Sequence, residues 1–530
     1  MDRWMMRRSP LTVVTWATLA AAVVTAVVLL AACGGGTSHS SKPKAAAGKP
    51  MQHKVMEFNI EYGGALVSLA KTEAAIKLAD PDVAGIEESY ANLPKIAEAT
   101  GYPYYNSSLQ ILSKYPIYEP SGGDGLYALV EVQPGCAIAF CNIHLDYVSY
   151  GPLALLHHKP LAGILAKENE VRTSALGQQY RVLPALAAQG YPVFLTGDFN
   201  EPSSLDYTAA TVGSRPQITQ AVPWPVSAKL LSLGFHDSYR DAQPDPLKDP
   251  GVTWPAHRPK VAAWAGNPTA KDFKDQSDRI DYVYTAGPSK TASSVLVGEK
   301  GAAGVALSVT PWPSDHRAVL STFQITPAAL PTMVAVNARL LTVGDTVAVT
   351  YHGAPKGSGL LEILSADGSK SYEGRPVEAT SGQVEFSSQQ PNYSAGGYQV
   401  ALYKNGKLVA SVPFWLRAKH AKVKLSTDKP TYTVGQPIKV SWTNGPANRW
   451  DWIGVYKAGA ADPNLDSYLI WDYTGGHASG TLPPQVDGSV TLGPSSQGKP
   501  WPLPPGKYVV HYLLTDAYTS AGSTTFSVTK

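Results

Sequence analysis

Val193-Phe194-Leu195-Thr196-Gly197-Asp198-Phe199-Asn200 begins as a run of apolar residues and ends in a glycine, an acid and an amide. The first half reads as a buried strand and the last four residues as its exposed tip, where polar groups leave the core. Five other segments repeat the design: Phe58-Asn59-Ile60-Glu61, Ile86-Glu87-Glu88, Asn142-Ile143-His144-Leu145-Asp146, Arg279-Ile280-Asp281-Tyr282 and Ser314-Asp315-His316. Asp and Asn at strand ends are ordinarily turn formers, but six such tips in a consistent order predict that oxygen and imidazole groups converge at one sheet edge. Between Val55 and about Ile325 these strands alternate with helix-like stretches such as 67–78 and 168–188. That alternation predicts an α/β layered domain.

The residue types at the tips suit phosphoester hydrolysis. Such a reaction needs neutralised non-bridging oxygens, an activated in-line water and help for the departing oxygen. Hard divalent ions prefer carboxylate and amide oxygens, which Asn59, Glu88, Asp198, Asn200 and Asp315 offer. Mg2+ is the expected ion, with Mn2+ or Ca2+ as substitutes. Histidine titrates near neutral pH and can accept a proton from water. His316 is therefore the candidate base, oriented by Asp281, with Asp278 as the alternative partner. His144 would donate to a phosphate oxygen, Asp198 would sit close to the attacking water, and Asn200 would hold an oxygen.

These ordered motifs resemble the endonuclease/exonuclease/phosphatase family, the deoxyribonuclease-I-like fold. The similarity covers about Val55 to Ile325 and is most specific at Gly197-Asp198-Phe199-Asn200 and Ser314-Asp315-His316. Leu112-Ser113-Lys114-Tyr115-Pro116-Ile117 also resembles a family strand entry. Pro81 to Glu88 is similar to a family stretch that usually ends in Gln-Glu, which puts the metal ligand on Glu88 and leaves Glu87 beside it. The residue before the first family histidine, commonly Thr, is Ile143 here. The resemblance implies a four-layer sandwich of two sheets between helices and one or two divalent ions. It also implies metal-site roles for Asn59 and Glu88, phosphate contact by His144 and nucleophile positioning by Asp198 and Asn200. Asp281 becomes the histidine partner, and Asp315-His316 the terminal metal and base pair.

The N-terminus carries Arg3, Arg7 and Arg8, an apolar run from Leu11 to Leu30, then Leu30-Ala31-Ala32-Cys33. This reads as an export signal over 1–32, and its ending resembles bacterial lipoprotein signals in which Cys33 is lipidated. An uncleaved membrane anchor is the alternative, since the run nearly spans a bilayer. Either reading puts the body outside the cytoplasm, anchored to the membrane or released. Residues 33–50 have the composition of a flexible tether. A net charge of +3 across 530 residues, with no basic run beyond the signal, does not favour nucleic acid as a partner. Cys136 and Cys141 flank a short strand, 137–140, and their disulfide is left open.

The domain following the tether is expected over 51–327. Beyond Thr326-Pro327 the text turns to short alternating Val, Thr, Tyr and Gly runs such as Asp345 to Tyr351. Two all-β immunoglobulin-like sandwiches are expected, over 328–419 and 420–530. Both repeat a Val-Gly step before a strand, at Val343-Gly344 and Val434-Gly435. Their contacts are expected to be cell wall, carbohydrate or protein. Trp450-Asp451-Trp452-Ile453-Gly454 resembles accessory modules of inositol polyphosphate phosphatases, and its tryptophans are read as sandwich core and corner residues. The function expected overall is an exported metal-dependent phosphodiesterase or phosphatase, acting on a small, phospholipid or inositol-type phosphoester. An extracellular endonuclease or exonuclease is one alternative, and a catalytically inactive surface binding or adhesion protein is the other.

Overall fold

Alternation along the strands decides what each sheet buries. In β3 (Cys136–His144) and β4 (Val193–Asp198), Ile138, Phe140 and Phe194 point to one face. Ala139, Cys141, Val193 and Leu195 point to the other. The first face packs on a second sheet through Val55 of β1 (Met51–Glu57), Val83 of β2 (Val83–Gly85) and Val319 and Phe323 of β6 (Ala318–Ile325). The outer face of the β3–β4 sheet is covered by Leu183 and Leu186 of the helix Gln179–Ala188 and by Val226 and Leu230 of the helix Pro225–Ser232. Met56, Ala84 and Leu320 face outward from the other sheet onto Ala75 and Ile76 of the helix Leu69–Ala79 and Ile96 of the helix Leu93–Thr100. The result is helix, sheet, sheet, helix, the four layers expected.

This computed structural model describes residues 47–530 apart from 121, 122, 124, 148, 262–266, 390, 391, 460–462, 464–467 and 476–484. The expected export signal, Cys33 and all but the last four residues of the expected tether lie outside the described residues. Gly48 and Lys49 are already docked: the Gly48 amide donates to the Pro327 carbonyl at 2.8 Å and the Lys49 amide to Gln133 Oε1 at 2.9 Å. Paired backbone donors of this kind fix the chain, so the tether expectation fails at its last residues. Among the described residues no helix is long and apolar enough to cross a membrane.

Register brings the strand tips together. The first sheet runs, by strand, 305–308, 289–298, β6, β1, β2, 111–113 and 104–106. The second runs 117–118, 128–133, β3, β4, β5 (Asp281–Ala286) and 236–237, with the short strand 328–329 added beside β3. In the second sheet β3 pairs parallel with β4, setting His144 opposite Asp198, and β5 pairs antiparallel with β4, setting Asp281 opposite the same residue. In the first, β1 pairs with β2 and β6 so that Glu57 meets Gly85 and Val319. At Gly85 the two sheets leave no room for a side chain, since a Cβ there would lie 2.1 Å from Asn142 Oδ1. Gly197 has a φ of 150°, and a side chain there would meet the Ile143 carbonyl oxygen at 2.1 Å.

The apolar layer between the sheets grades into polar chemistry along each strand: Phe194, Thr196, Asp198 in β4, and Ile138, Phe140, Asn142, His144 in β3. Thr196 Oγ1 donates to Asn142 Oδ1 at 2.7 Å, satisfying one polar step of that gradient. Phe194 is fully buried and meets Phe323 edge to face at 4.9 Å across the sheets. Phe194→Ala should cost about 3–5 kcal/mol of unfolding free energy. Chemical denaturation checks this, and a loss below about 1 kcal/mol would contradict the packing described.

The expected helix over 168–188 is broken: Leu161–Glu168 passes through a wide turn at Asn169–Thr173 and a tight one at Ser174–Leu176 before Gln179–Ala188. The buried Arg172 to Glu168 pair at 2.6 Å sits at this break. The apolar stretch after Asp146 enters a helix, Gly151–Leu156, with Leu155 packed near Trp224. Tyr147 before it stays exposed. No disulfide joins Cys136 to Cys141, whose odd spacing on β3 sends them to opposite faces. C-terminal to the layered domain, sheets of three and five strands between Met333 and Arg417 share one apolar core. Sheets of three and six strands between Lys424 and Thr529 share another.

Candidate active site

His316 belongs to the loop before β6 in the first sheet, and Asp281 opens β5 in the second, yet His316 Nδ1 lies 3.0 and 3.1 Å from the two Asp281 oxygens. The other ring nitrogen of His316 is 3.7 Å from Asp198 Oδ2. His144 Nε2 approaches the same oxygen at 3.5 Å. Two imidazoles thus face one carboxylate. Asp198, Asp281 and His316 each place a ligand-capable atom within 4.8 Å of the others. Asp278, the alternative partner for His316, is occupied elsewhere: it accepts from Tyr150 and Tyr207 at 2.9 Å each and from Gln217 at 3.2 Å.

The remaining tips complete a ring. Asn59 Nδ2 donates to Glu88 Oε1 at 3.2 Å and to Asp198 Oδ2 at 3.1 Å, tying the two sheets' carboxylates together. Glu88, at a φ of 55°, also accepts from the Tyr62 amide at 2.8 Å and the Tyr90 hydroxyl at 3.2 Å. Asn200 caps Asp198 through its amide at 2.9 Å and reaches the Leu145 carbonyl through Nδ2 at 2.9 Å. Asp315 accepts from Trp254 Nε1 at 3.1 Å. Glu88, His144, Asp198, Asn200, Asp315 and His316 all line one cavity, of about 370 Å³. Asn59 and Asp281 lie buried beneath it. Every site residue expected from the sequence within the described part of the chain therefore lies in this one place.

Residues 56–316 match the model of the Endonuclease/Exonuclease/phosphatase family. An uncharacterized protein of Caenorhabditis elegans is 29% identical over 296 residues, covering 51% of this chain and 90% of that protein. Among solved structures, an endonuclease/exonuclease/phosphatase family protein of Bacteroides thetaiotaomicron covers 52% of this chain and 96% of its own at 14% identity, with a TM-score of 0.30. A mannosyl-6-phosphatase of the same organism covers 51% and 99% at 14% identity, also with a TM-score of 0.30.

Within the layered domain, some site residues carried no signal in the sequence. Glu61 lies inside a quoted segment, but its partner Arg258, which grips it with two nitrogens, and Trp254 come from a Pro-rich stretch without periodicity. Glu61 also receives the Asp315 amide at 3.0 Å. Glu87, expected beside the metal ligand, points between the sheets with Glu57, fully buried. Burial holds both of these carboxyls above their ordinary range.

A larger omission concerns the C-terminal segment. Trp452, Tyr468, Trp471, Tyr473, Asp516 and Tyr518 line the same cavity, opposite the strand tips. Trp452 opens β7 (Trp452–Lys457), which pairs with β8 (Tyr468–Tyr473) and β9 (Gly506–Leu513). The reading of these tryptophans as core and corner residues holds for Trp450, buried against Tyr473, and for Trp452, buried with Tyr456 and Leu513, but Trp452 also lines the cavity, as Trp471 does. Asp451 pins the corner by accepting from Tyr512 at 2.9 Å and the Thr515 amide at 3.0 Å. The neighbouring Trp452, whose Nε1 donates to the Ala517 carbonyl at 3.0 Å, lines the cavity beside this corner.

Electrostatics follow from this crowding. Burial pushes the Asp198 carboxyl up to about 6, and Asp281 adds to the rise, against His316 and His144. Burial by itself would lower both histidines, but the carboxylates outweigh it: Asp281, Asp198 and Asp315 hold His316 well above its ordinary value, and Asp198 and Glu88 raise His144. No Lys or Arg is among the described residues lining the cavity. Buried acids are ordinarily paired or bound to metal. The clustered carboxylates of Glu88, Asp198 and Asp315, with no described Lys or Arg lining the cavity beside them, therefore fit a hard divalent cation.

Proposed function

We propose that this chain is a divalent-metal-dependent hydrolase of small phosphoesters that works outside the cytoplasm, tethered through a lipid on Cys33 or released. The observation that carries it is the meeting of His316, Asp281, Asp198 and His144 with Glu88 and Asp315 around one cavity. Asn59, Glu88, Asp198, Asn200 and Asp315 are the residues that would hold the ion, Mg2+ by preference and Mn2+ or Ca2+ as substitutes. Bound there, it would supply Lewis-acid neutralisation of the phosphoryl oxygens.

The chain's own residues do the rest. His316 Nε2 accepts the proton of the attacking water, while Asp281 fixes the ring by receiving Nδ1–H and stabilises the imidazolium that forms. Asp198 and Asn200 orient that water. His144, whose proton affinity Asp198 and Glu88 raise against burial, donates to a phosphoryl oxygen. Glu61 and Trp254 hold Asp315 in position. A cavity of about 370 Å³ walled on two sides suits a small ligand better than a polymer. The sequence from Leu30 to Cys33 supports the lipid anchor, and the paired sheets over 333–417 and 424–529 support two immunoglobulin-like units. The test is turnover of a phosphoester panel with Mg2+. Small soluble phosphodiesters and monoesters should be cleaved, and rapid cleavage of plasmid DNA beside inert small esters would overturn the reading.

Proton linkage gives a second check. The folded Asp198 value of about 6 exceeds the ordinary 3.8, so the folded protein binds this proton more tightly than the unfolded chain. Its contribution to stability therefore falls as pH rises from about 4 to about 6, by roughly 3 kcal/mol for two pKa units. His316 acts in the same direction: its raised value stabilises fully below 6.5, and that contribution is lost as pH climbs through the folded value. Metal-free protein should therefore lose Tm as pH rises from about 4. Mg2+, which selects the deprotonated carboxylates, should raise Tm more at about pH 8 than at about pH 5. Thermal scans in chelator and in Mg2+ measure this, and an equal Mg2+ effect at both pH values would contradict it.

A further inference from the structure

One wall of the cavity, six residues from Trp452 to Tyr518, belongs to a segment more than a hundred residues beyond the layered domain, and its chemistry is unlike that of a phosphate site. Trp471 and Tyr518 stand nearly perpendicular to Trp452, at 74° and 89°, with ring centroids 5.7 and 5.8 Å away. Trp471 in turn meets Tyr473 at 86° and 5.2 Å. This corner is held onto the catalytic domain by a Tyr147 to Tyr468 hydroxyl contact of 3.3 Å and by Arg449 Nη1 donating to the Gly125 carbonyl at 3.4 Å. Beside the rings sits Asp516, which accepts from the Tyr473 hydroxyl at 2.5 Å. It plays no part in the hydrolytic scheme.

We infer that this aromatic corner and Asp516 form a subsite for the ammonium group of an alkylammonium phosphoester, the phosphate of which lies over His316 and Asp198. The inference rests on the phosphoester reading and names its substrate class. Aromatic faces attract quaternary ammonium groups through the ring quadrupole, most strongly where water is excluded. The charge balance favours a cation over the alternatives. Glu88, Asp146, Asp315 and Asp516 line the cavity with no described Lys or Arg lining it beside them, while Glu61 is held by Arg258 and Asp198 faces His144 and His316. A polyphosphorylated cyclitol or a nucleic-acid backbone would bring further negative charge into that field. A neutral polyol could stack on the rings but would gain nothing from the acids' sign. Burial pushes the Asp516 carboxyl up to about 7, although the Tyr473 hydroxyl and His144 act against the rise.

The test uses the full chain and two readouts. Tryptophan fluorescence of the His316→Ala protein is titrated with tetramethylammonium chloride and, separately, with myo-inositol. Saturable quenching by tetramethylammonium is expected, weakened roughly tenfold by Trp471→Ala and by the shape-conserving Asp516→Asn. Steady-state kinetics then compare a choline phosphoester with a neutral alkyl phosphoester, and the choline ester should have the lower KM, with the difference reduced in Asp516→Asn. Saturation by myo-inositol but not tetramethylammonium would overturn the inference, as would tetramethylammonium binding unchanged in both variants. Turnover of both esters with equal KM would remove the subsite and leave the hydrolase standing. Ammonium binding without turnover of any ester would do the reverse.

Discussion

His316→Ala should lower kcat on a small phosphoester by roughly 10²–10⁴-fold while the protein stays folded. The imidazole sits across the seam of the two sheets, 3.0 Å from Asp281 on one side and 3.7 Å from Asp198 on the other. Deleting it removes the proton acceptor and leaves Asp281 buried without its partner, which by itself threatens stability. His316→Asn, which keeps an amide donor toward Asp281, is therefore the companion variant, and it should be as inactive as His316→Ala with less loss of Tm. Asp281→Asn should also reduce kcat heavily, because the neutral amide no longer selects the tautomer with its proton on Nδ1. Near wild-type turnover in His316→Asn would remove the base from the scheme.

Asp198→Asn should cost roughly 10²–10³-fold in kcat through lost stabilisation at the reacting phosphoryl group. It carries a second signature. Asp198 raises the proton affinity of both His144 and His316, so removing its charge should lower both pKa values, His144 the more because Asp198 is its largest electrostatic partner. The variant also keeps the shape that Asn59 and Asn200 grip, through contacts of 3.1 and 2.9 Å. NMR titration of the ring protons in metal-free protein reads this directly. Unchanged histidine titration would mean that Asp198 does not face the two rings.

The strand tips were legible because a period of two and a switch from apolar to polar residues can be read without coordinates, as in Phe194, Thr196 and Asp198. The sequence places Asp281 ahead of Asp278 as the partner of His316 but leaves both open, and it is the register of β5 against β4 that separates them. Glu87 and Glu88 pose the same problem, and the turn at Glu88 sends one carboxylate into the cavity and the other between the sheets. The docking of Gly48 and Lys49 depends on partners nearly three hundred and about eighty residues away, Pro327 and Gln133, so composition alone reads that stretch as tether. Most hidden was the aromatic wall. Tyr147 and Tyr468 meet across 321 residues of sequence, and Trp450 and Trp452, alternating on one short stretch, end in different environments.

The convergence of two sheets on one hydrolytic centre is best tested by the initial rate of a single chromogenic phosphodiester with Mg2+, measured for Glu88→Gln, for His316→Ala and for the double variant. Glu88 comes from the first sheet's tips and His316 works through Asp281 of the second. If they serve one centre, each single change should reduce the rate severely, and the double variant should fall little below the worse single one. Losses that multiply, or a rate indifferent to either change, would contradict the account.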